Sequence, residues 1–143
     1  MGKRRRAREL AIQVLFHMEY NPGDPGQSFD RVCESFGPPK EVRDYSREVV
    51  KGVCENKANL DRLIRGSSKN WRVERMSRVD RNILRMAVYE VVYRKDVPPK
   101  VSIDEAVELG KRFGTEESGA FINGILDHIY NELKVEEAKH PGR

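Results

Sequence analysis

Ser77-Arg78-Val79-Asp80-Arg81-Asn82-Ile83-Leu84-Arg85-Met86-Ala87-Val88-Tyr89-Glu90-Val91-Val92-Tyr93-Arg94 is the stretch that decides the fold. Val79, Ile83, Met86, Ala87, Glu90 and Val91 recur at helical spacing, and Leu84, Val88 and Tyr89 widen the stripe. A helix apolar over so much of its circumference belongs at the centre of its domain.

Outward from this helix, nearly every segment keeps a helical period. Val97-Pro98-Pro99 stops it, and Ser102 with Glu105 matches a capping box ahead of Ala106, Val107 and Leu109. Gly114 after Phe113 reads as a C-terminal cap, and Thr115 can cap a last helix with Phe121, Ile122, Ile125, Leu126 and Ile129 on its buried face. Upstream, Val42, Tyr45, Val49 and Val53 mark one helix, and Leu60, Leu63 and Ile64 a shorter one ending near Gly66. Trp71 and Val73 open the following region. A short helix places Phe29, Val32, Cys33 and Phe36 on one side, between the breaks Asn21–Gly26 and Gly37-Pro38-Pro39. Ala7, Leu10, Ala11, Val14, Leu15 and Met18 form the apolar face of the first helix. No strand period or internal repeat is visible. The expected fold is all-α, with about seven helices and short connections. We expect residues 1–133 to form one domain from an N-terminal bundle of about 1–66 and a C-terminal bundle of about 71–133, with 134–143 a flexible tail.

The chain has 143 residues, long enough to bury about 70% of its unfolded surface without a covalent staple. It is 38% hydrophobic and 35% charged, with a net charge of +4. The positive charge is uneven: residues 1–8 hold Lys3, Arg4, Arg5, Arg6 and Arg8 and no acid. This pattern predicts a local anion-binding edge leading straight into a helix. Guanidinium groups form bidentate contacts with phosphate and stack on unpaired bases, so the edge suits nucleic acid, RNA as well as DNA. A second basic series, Arg72, Arg75, Arg78, Arg81 and Arg85, reads first as a solvated face, with Glu74 four residues before Arg78 and able to pair with it; the alternative is that some of these arginines extend a phosphate path.

Other classes lack support. His17, His128 and His140 have no metal-ligand spacing with each other or with the cysteines, so no metal is expected. Asp104, Glu105 and Glu108 are explained by a helix start, which favours carboxylates. No P-loop, dinucleotide fingerprint or nucleophile elbow is present, and we expect neither catalysis nor a cofactor. Cys33 and Cys54 sit in apolar helical patterns and read as two buried, reduced thiols. No apolar run approaches the ~20 residues of a membrane span, so a cytoplasmic location is expected, with no membrane partner. From pattern alone, Phe121 is either a core ring or an exposed one that stacks on a base.

Several blocks together resemble the NusB family of bacterial transcription factors. They are Arg4-Arg5-Arg6-Ala7-Arg8-Glu9, Ile83-Leu84-Arg85-Met86-Ala87-Val88-Tyr89-Glu90, Val97 through Lys111, and Phe121-Ile122-Asn123-Gly124-Ile125-Leu126-Asp127. The likeness covers about residues 4–130. It implies two small helical bundles and a role in processive antitermination. It also implies pairing with NusE, which is a small-subunit ribosomal protein, and binding to boxA RNA of nascent ribosomal RNA transcripts. The assembly joins RNA polymerase and other Nus factors. Carried over by residue, Arg4, Arg5, Arg6 and Arg8 match the arginine-rich RNA-binding start, and Glu117 and Phe121 match the turn before the last helix. Phe16 and Asp80 match the NusE-facing side. Glu117 stands where some relatives have aspartate, and Gly119-Ala120 is smaller and less polar than the equivalent pair in others. Two further readings carry tests of their own: a module like the N-terminal domain of RNA cytosine methyltransferases, for which a chain ending at Arg143 leaves no room for a catalytic domain, and a protein-only homodimeric scaffold.

Overall fold

The chain places helices where apolar residues recur at three and four, and ends them where proline, glycine or a capping side chain intervenes. The computed structural model describes residues 2–68 and 72–139. Trp71 and His140 lie outside them. Among the described residues there are seven α-helices, one 3-10 turn and no strand. They are α1 (Lys3–Tyr20), α2 (Pro25–Phe36), α3 (Lys40–Glu55), α4 (Lys57–Ser67), a 3-10 turn (Val73–Arg75), α5 (Arg78–Tyr93), α6 (Pro99–Phe113) and α7 (Ser118–Lys139).

The helix ends have local causes. Asp24 caps α2 by accepting from the Gln27 N–H at 3.0 Å, and Pro25 takes the first helical position. Pro25 and Gly26 therefore start a helix instead of completing a break. Gly37 closes α2 at φ 51°, a left-handed conformation that favours glycine. Ser77 caps α5 by accepting from the Asp80 N–H at 3.1 Å. The expected capping box at Ser102 and Glu105 is not one. Pro99 fits the first helical position and begins α6 three residues earlier, leaving Ser102 buried within the helix. Gly114 ends α6 in extended backbone, and the reason for glycine is space: a Cβ there would collide with the Ser118 side chain. The expected cap at Thr115 is displaced: α7 begins at Ser118, and the Thr115 hydroxyl accepts from the Glu117 N–H at 3.3 Å, bracing the turn that precedes the helix. Past Leu133, α7 continues to Lys139. Residues 134–139 are mostly good helix formers, and the Lys134 ammonium lies over the Tyr130 ring.

Helix α5 is central, packing against α1, α3, α4, α6 and α7. One apolar cluster runs from Ala7 on α1 to Ile129 on α7. Helix α2 is peripheral and is held chiefly by Phe29; its last residue, Phe36, which shares the apolar side with Phe29, is 60% exposed. Cys33 and Cys54 are free thiols, each half-buried. No described helix is long and apolar enough to cross a membrane.

Among the described residues, one acid is fully enclosed. Glu90 is 0% exposed, on the apolar stripe of α5. A buried carboxylate needs a cation and further hydrogen bonds. Arg8 of α1 supplies Nε–H, 3.0 and 2.9 Å from the two Glu90 oxygens. The Tyr45 hydroxyl of α3 donates to the same carboxylate. Burial, and then the adjacent Glu90 charge, push the Tyr45 hydroxyl well above the usual tyrosine range, so it stays a donor. Beside this group, the Ser46 hydroxyl donates to the Ala7 carbonyl, giving α1 and α3 a second tie.

Removing one partner leaves the other polar groups buried and uncompensated. We predict that Glu90→Ala lowers unfolding free energy by about 3–5 kcal/mol in urea titrations. The triple substitution Arg8→Met, Tyr45→Phe and Glu90→Leu should be more stable than Glu90→Ala, because no polar group is then stranded.

Candidate nucleic-acid interface

The helical period sorts the arginine run by direction. Arg8 shares a face with Ala11, Ile12 and Leu15, at spacings of three, four and seven, and all four are buried. Its guanidinium is committed to Glu90, with Glu105 a further 3.7 Å away. The expectation that Arg8 presents its charge to a ligand is therefore corrected: an enclosed acid on α5 draws it inward. Arg5 is half-buried and donates from Nε and Nη2 to the two oxygens of Glu105 on α6, at 2.9 and 2.6 Å. These bonds hold the Glu105 carboxyl below its ordinary range, and Glu105 is thus a cross-helix partner, not a helix-start charge.

Arg4 and Arg6 face outward. The Arg4 guanidinium lies over the Tyr45 ring, 3.9 Å from its centroid, and reaches Asp96 at 3.4 Å. Arg94 grips Asp96 with two hydrogen bonds, holding that carboxyl down to about 2. Lys3 pairs with Glu41. Arg6 is exposed, and its side chain makes no ion pair among the described residues. The basic edge thus has an outward cation at Arg6, a stacked cation at Arg4 and a braced one at Arg5. Such fixed guanidinium groups lose little freedom when they meet phosphate.

The turn into α7 lies at the other end of α6. Glu117 is exposed there, and its carbonyl accepts from the Phe121 N–H at 3.0 Å. Phe121 is half-buried and packs against the core. Arg112 of α6 donates to Glu9 of α1 at 2.7 Å, tying this end to the basic edge. The sequence reading missed Tyr45 and Arg112 because nothing local links residues of α3 and α6 to the basic start of α1.

A second surface lies near the other end of α1. Phe16 and Asp80 are both half-buried. Phe16 meets Tyr20 with ring centroids 5.4 Å apart, and the Arg78 guanidinium lies 4.1 Å over the Tyr20 ring. Glu19 collects Arg81 at 3.0 Å and the Asn82 amide at 2.7 Å, with Arg78 and Arg85 within 3.6 and 3.7 Å. Burial alone would raise the Glu19 pKa; the hydrogen bonds from Arg81 and Asn82 and the nearby charges hold it below its ordinary value. Arg85 is buried and donates to both oxygens of Asp61, at 2.8 and 3.1 Å. Arg81 and Arg85 are thus part of a packed ionic network instead of a solvated face. Glu74 pairs with Arg65 at 3.4 Å, not with Arg78. A cleft of about 730 Å³ opens beside this network, lined by Leu15, Val53, Asp61 and Arg85 among others. Arg5 and Phe16 are eleven residues apart on one helix, so the two surfaces lie about 16 Å apart along its axis.

Fold and surface together define an all-helical protein with a cationic edge at one end of its first helix and an aromatic, mixed-charge face toward the other. Among the described residues, no three of His, Cys, Asp and Glu are grouped to hold a metal. The NusB family model matches residues 5–131, and the chain belongs to the NusB family. The transcription antitermination protein NusB of Desulfatibacillum aliphaticivorans is 53% identical over 137 residues, covering 96% of each chain. That of Pelotomaculum thermopropionicum is 52% identical over 126 residues, covering 88% of each. The structure of T. maritima NusB aligns with a TM-score of 0.83 at 41% identity, covering 90% of this chain and 91% of that one. A crystal structure of antitermination factors NusB and NusE in complex with dsRNA aligns with a TM-score of 0.82 at 29% identity, covering 91% of this chain and 97% of that one. The family consists of transcription antitermination factors, not enzymes.

The lowered carboxyls give stability a defined pH dependence. A group whose native pKa is depressed stabilises the fold above its unfolded value and loses that contribution as pH falls through the native value. Glu19 and Glu105 both start from an ordinary value of 4.5. We predict a fall in the urea midpoint below that pH, shallower in Glu19→Gln and in Glu105→Gln, each compared with its own value at pH 7.

Proposed function

We propose that this chain is a transcription antitermination factor that binds boxA-type RNA of nascent ribosomal RNA transcripts together with NusE. In this reading the RNA lies along the basic edge, contacting Arg4, Arg5 and Arg6 and extending toward Glu117 and Phe121. Arg8 serves indirectly by fixing the rotation of α1. NusE occupies the face containing Phe16 and Asp80, where rings and charges of both signs make partner choice specific. The pair then joins other Nus factors on RNA polymerase in the cytoplasm.

The observation that carries this reading is the relative solved with NusE and dsRNA, which matches this fold across 91% of the chain. The structure supports a division of labour. Phosphate neutralisation supplies sequence-independent affinity, and contacts to unpaired bases supply selectivity. Two faces about 16 Å apart on one rigid helix allow both partners to be held at once.

Fluorescence anisotropy with a short boxA RNA, with and without NusE, tests it. NusE should bind the chain and tighten RNA binding. Replacing Arg4 and Arg6 by glutamine should weaken binding and flatten the plot of log affinity against log salt by about 1.4, or 0.7 for each lost phosphate contact. NusE that neither binds nor tightens the RNA complex contradicts the reading.

A further inference from the structure

Phe113 is the last residue of α6 and is 41% exposed. It has no place in the apolar core, and its ring is covered only in part, by the Arg112 guanidinium 5.1 Å from the centroid. Arg112 is itself tethered to Glu9 on α1. Glu9 lies four residues after Arg5 and three after Arg6, so this tether joins the ring to the basic edge. On the other side, Gly114 is pressed against Ser118 and leads directly into the turn that carries Glu117. Lys111, two residues before the ring, is well exposed and 3.6 Å from Glu108. A continuous path therefore runs from Arg6 through Glu9 and Arg112 to Phe113 and the start of α7.

We propose that Phe113 is a stacking platform for one unpaired base of the bound RNA, held in place by the Glu9–Arg112 tether, with Lys111 meeting an adjacent phosphate. This deepens the function proposed above and rests on that reading. The chemistry favours a base. An aromatic face accepts any base, and a guanidinium over the ring favours a strand carrying negative charge. The platform sits at a helix end whose backbone is fixed by the glycine contact, so little freedom is lost on stacking.

The test uses the full chain with NusE and a series of boxA RNAs, each carrying 2-aminopurine at one position. At one position the parent should quench the fluorescence. Phe113→Ala should abolish that quench and weaken RNA binding about five- to hundredfold, leaving the salt slope unchanged. Phe113→Tyr should restore both to within about twofold. Lys111→Gln should keep the quench and reduce the salt slope by about 0.7. Far-ultraviolet circular dichroism reports whether each variant is folded. Unchanged affinity and quench in folded Phe113→Ala overturn the inference. So does weakened NusE binding without RNA, which assigns the ring to a protein contact. If Arg4 and Arg6 substitutions weaken RNA binding but Phe113→Ala does not, only the platform fails. If the parent with NusE binds no RNA, the underlying function fails with it.

Discussion

A carboxylate sealed inside a helical protein constrains everything around it. Glu90 sits among the apolar residues of α5 with no solvent contact, and Arg8 and Tyr45 answer it from two other helices. An uncompensated charge in that position is strongly destabilising, so α1 and α3 must meet α5 in one register. The same contact sets the rotation of α1. With Arg8 turned inward, the helical period carries Arg6 to the opposite, exposed side and keeps Arg5 and Arg4 on the Arg8 side, where Arg5 meets Glu105 and Arg4, a turn nearer the helix end, lies exposed over Tyr45. Tyr45 links core to edge directly: its hydroxyl serves Glu90 while its ring lies beneath Arg4, with Arg94 also against it. The arginine run is thus one structural cation followed, toward the chain start, by cations available to a ligand.

Much of this was legible in the sequence because it is local. Helical periods placed the segments of all seven helices, and the breadth of the apolar stripe on α5 correctly marked it as central. Gly37 acts as its residue type implies. The errors share another origin. Glu105 reads as a helix-start charge and Arg85 as part of a solvated face, yet each pairs with a residue distant in sequence: Arg5 for the former, Asp61 for the latter. Ser102 and Glu105 have the spacing of a capping box, but proline at the first helical position outcompeted it. The inward direction of Arg8 was readable in principle, since it shares helical spacing with Ala11, Ile12 and Leu15 and since Glu90 interrupts an apolar stripe. What the sequence could not supply is that those two anomalies solve each other.

The family relationship and the physical reading converge on an adaptor. Its first helix is long enough to separate two interaction faces, and its core ionic contacts keep that helix from rotating. The partners differ in what they demand. In the proposed function RNA meets an array of positioned cations, and NusE meets rings and the ionic network around Glu19. The tether between Arg112 and Glu9 shows how α6 and the turn into α7 are drawn into the same surface as the basic edge.

The most direct test of this partition is nuclear magnetic resonance of the arginine side chains, following each Nε–H during titration with RNA in the presence of NusE. The account predicts that the Arg8 signal is protected from solvent exchange and stationary throughout, while the Arg4 and Arg6 signals move. A rapidly exchanging Arg8 signal that shifts with RNA as much as Arg6 does would contradict it.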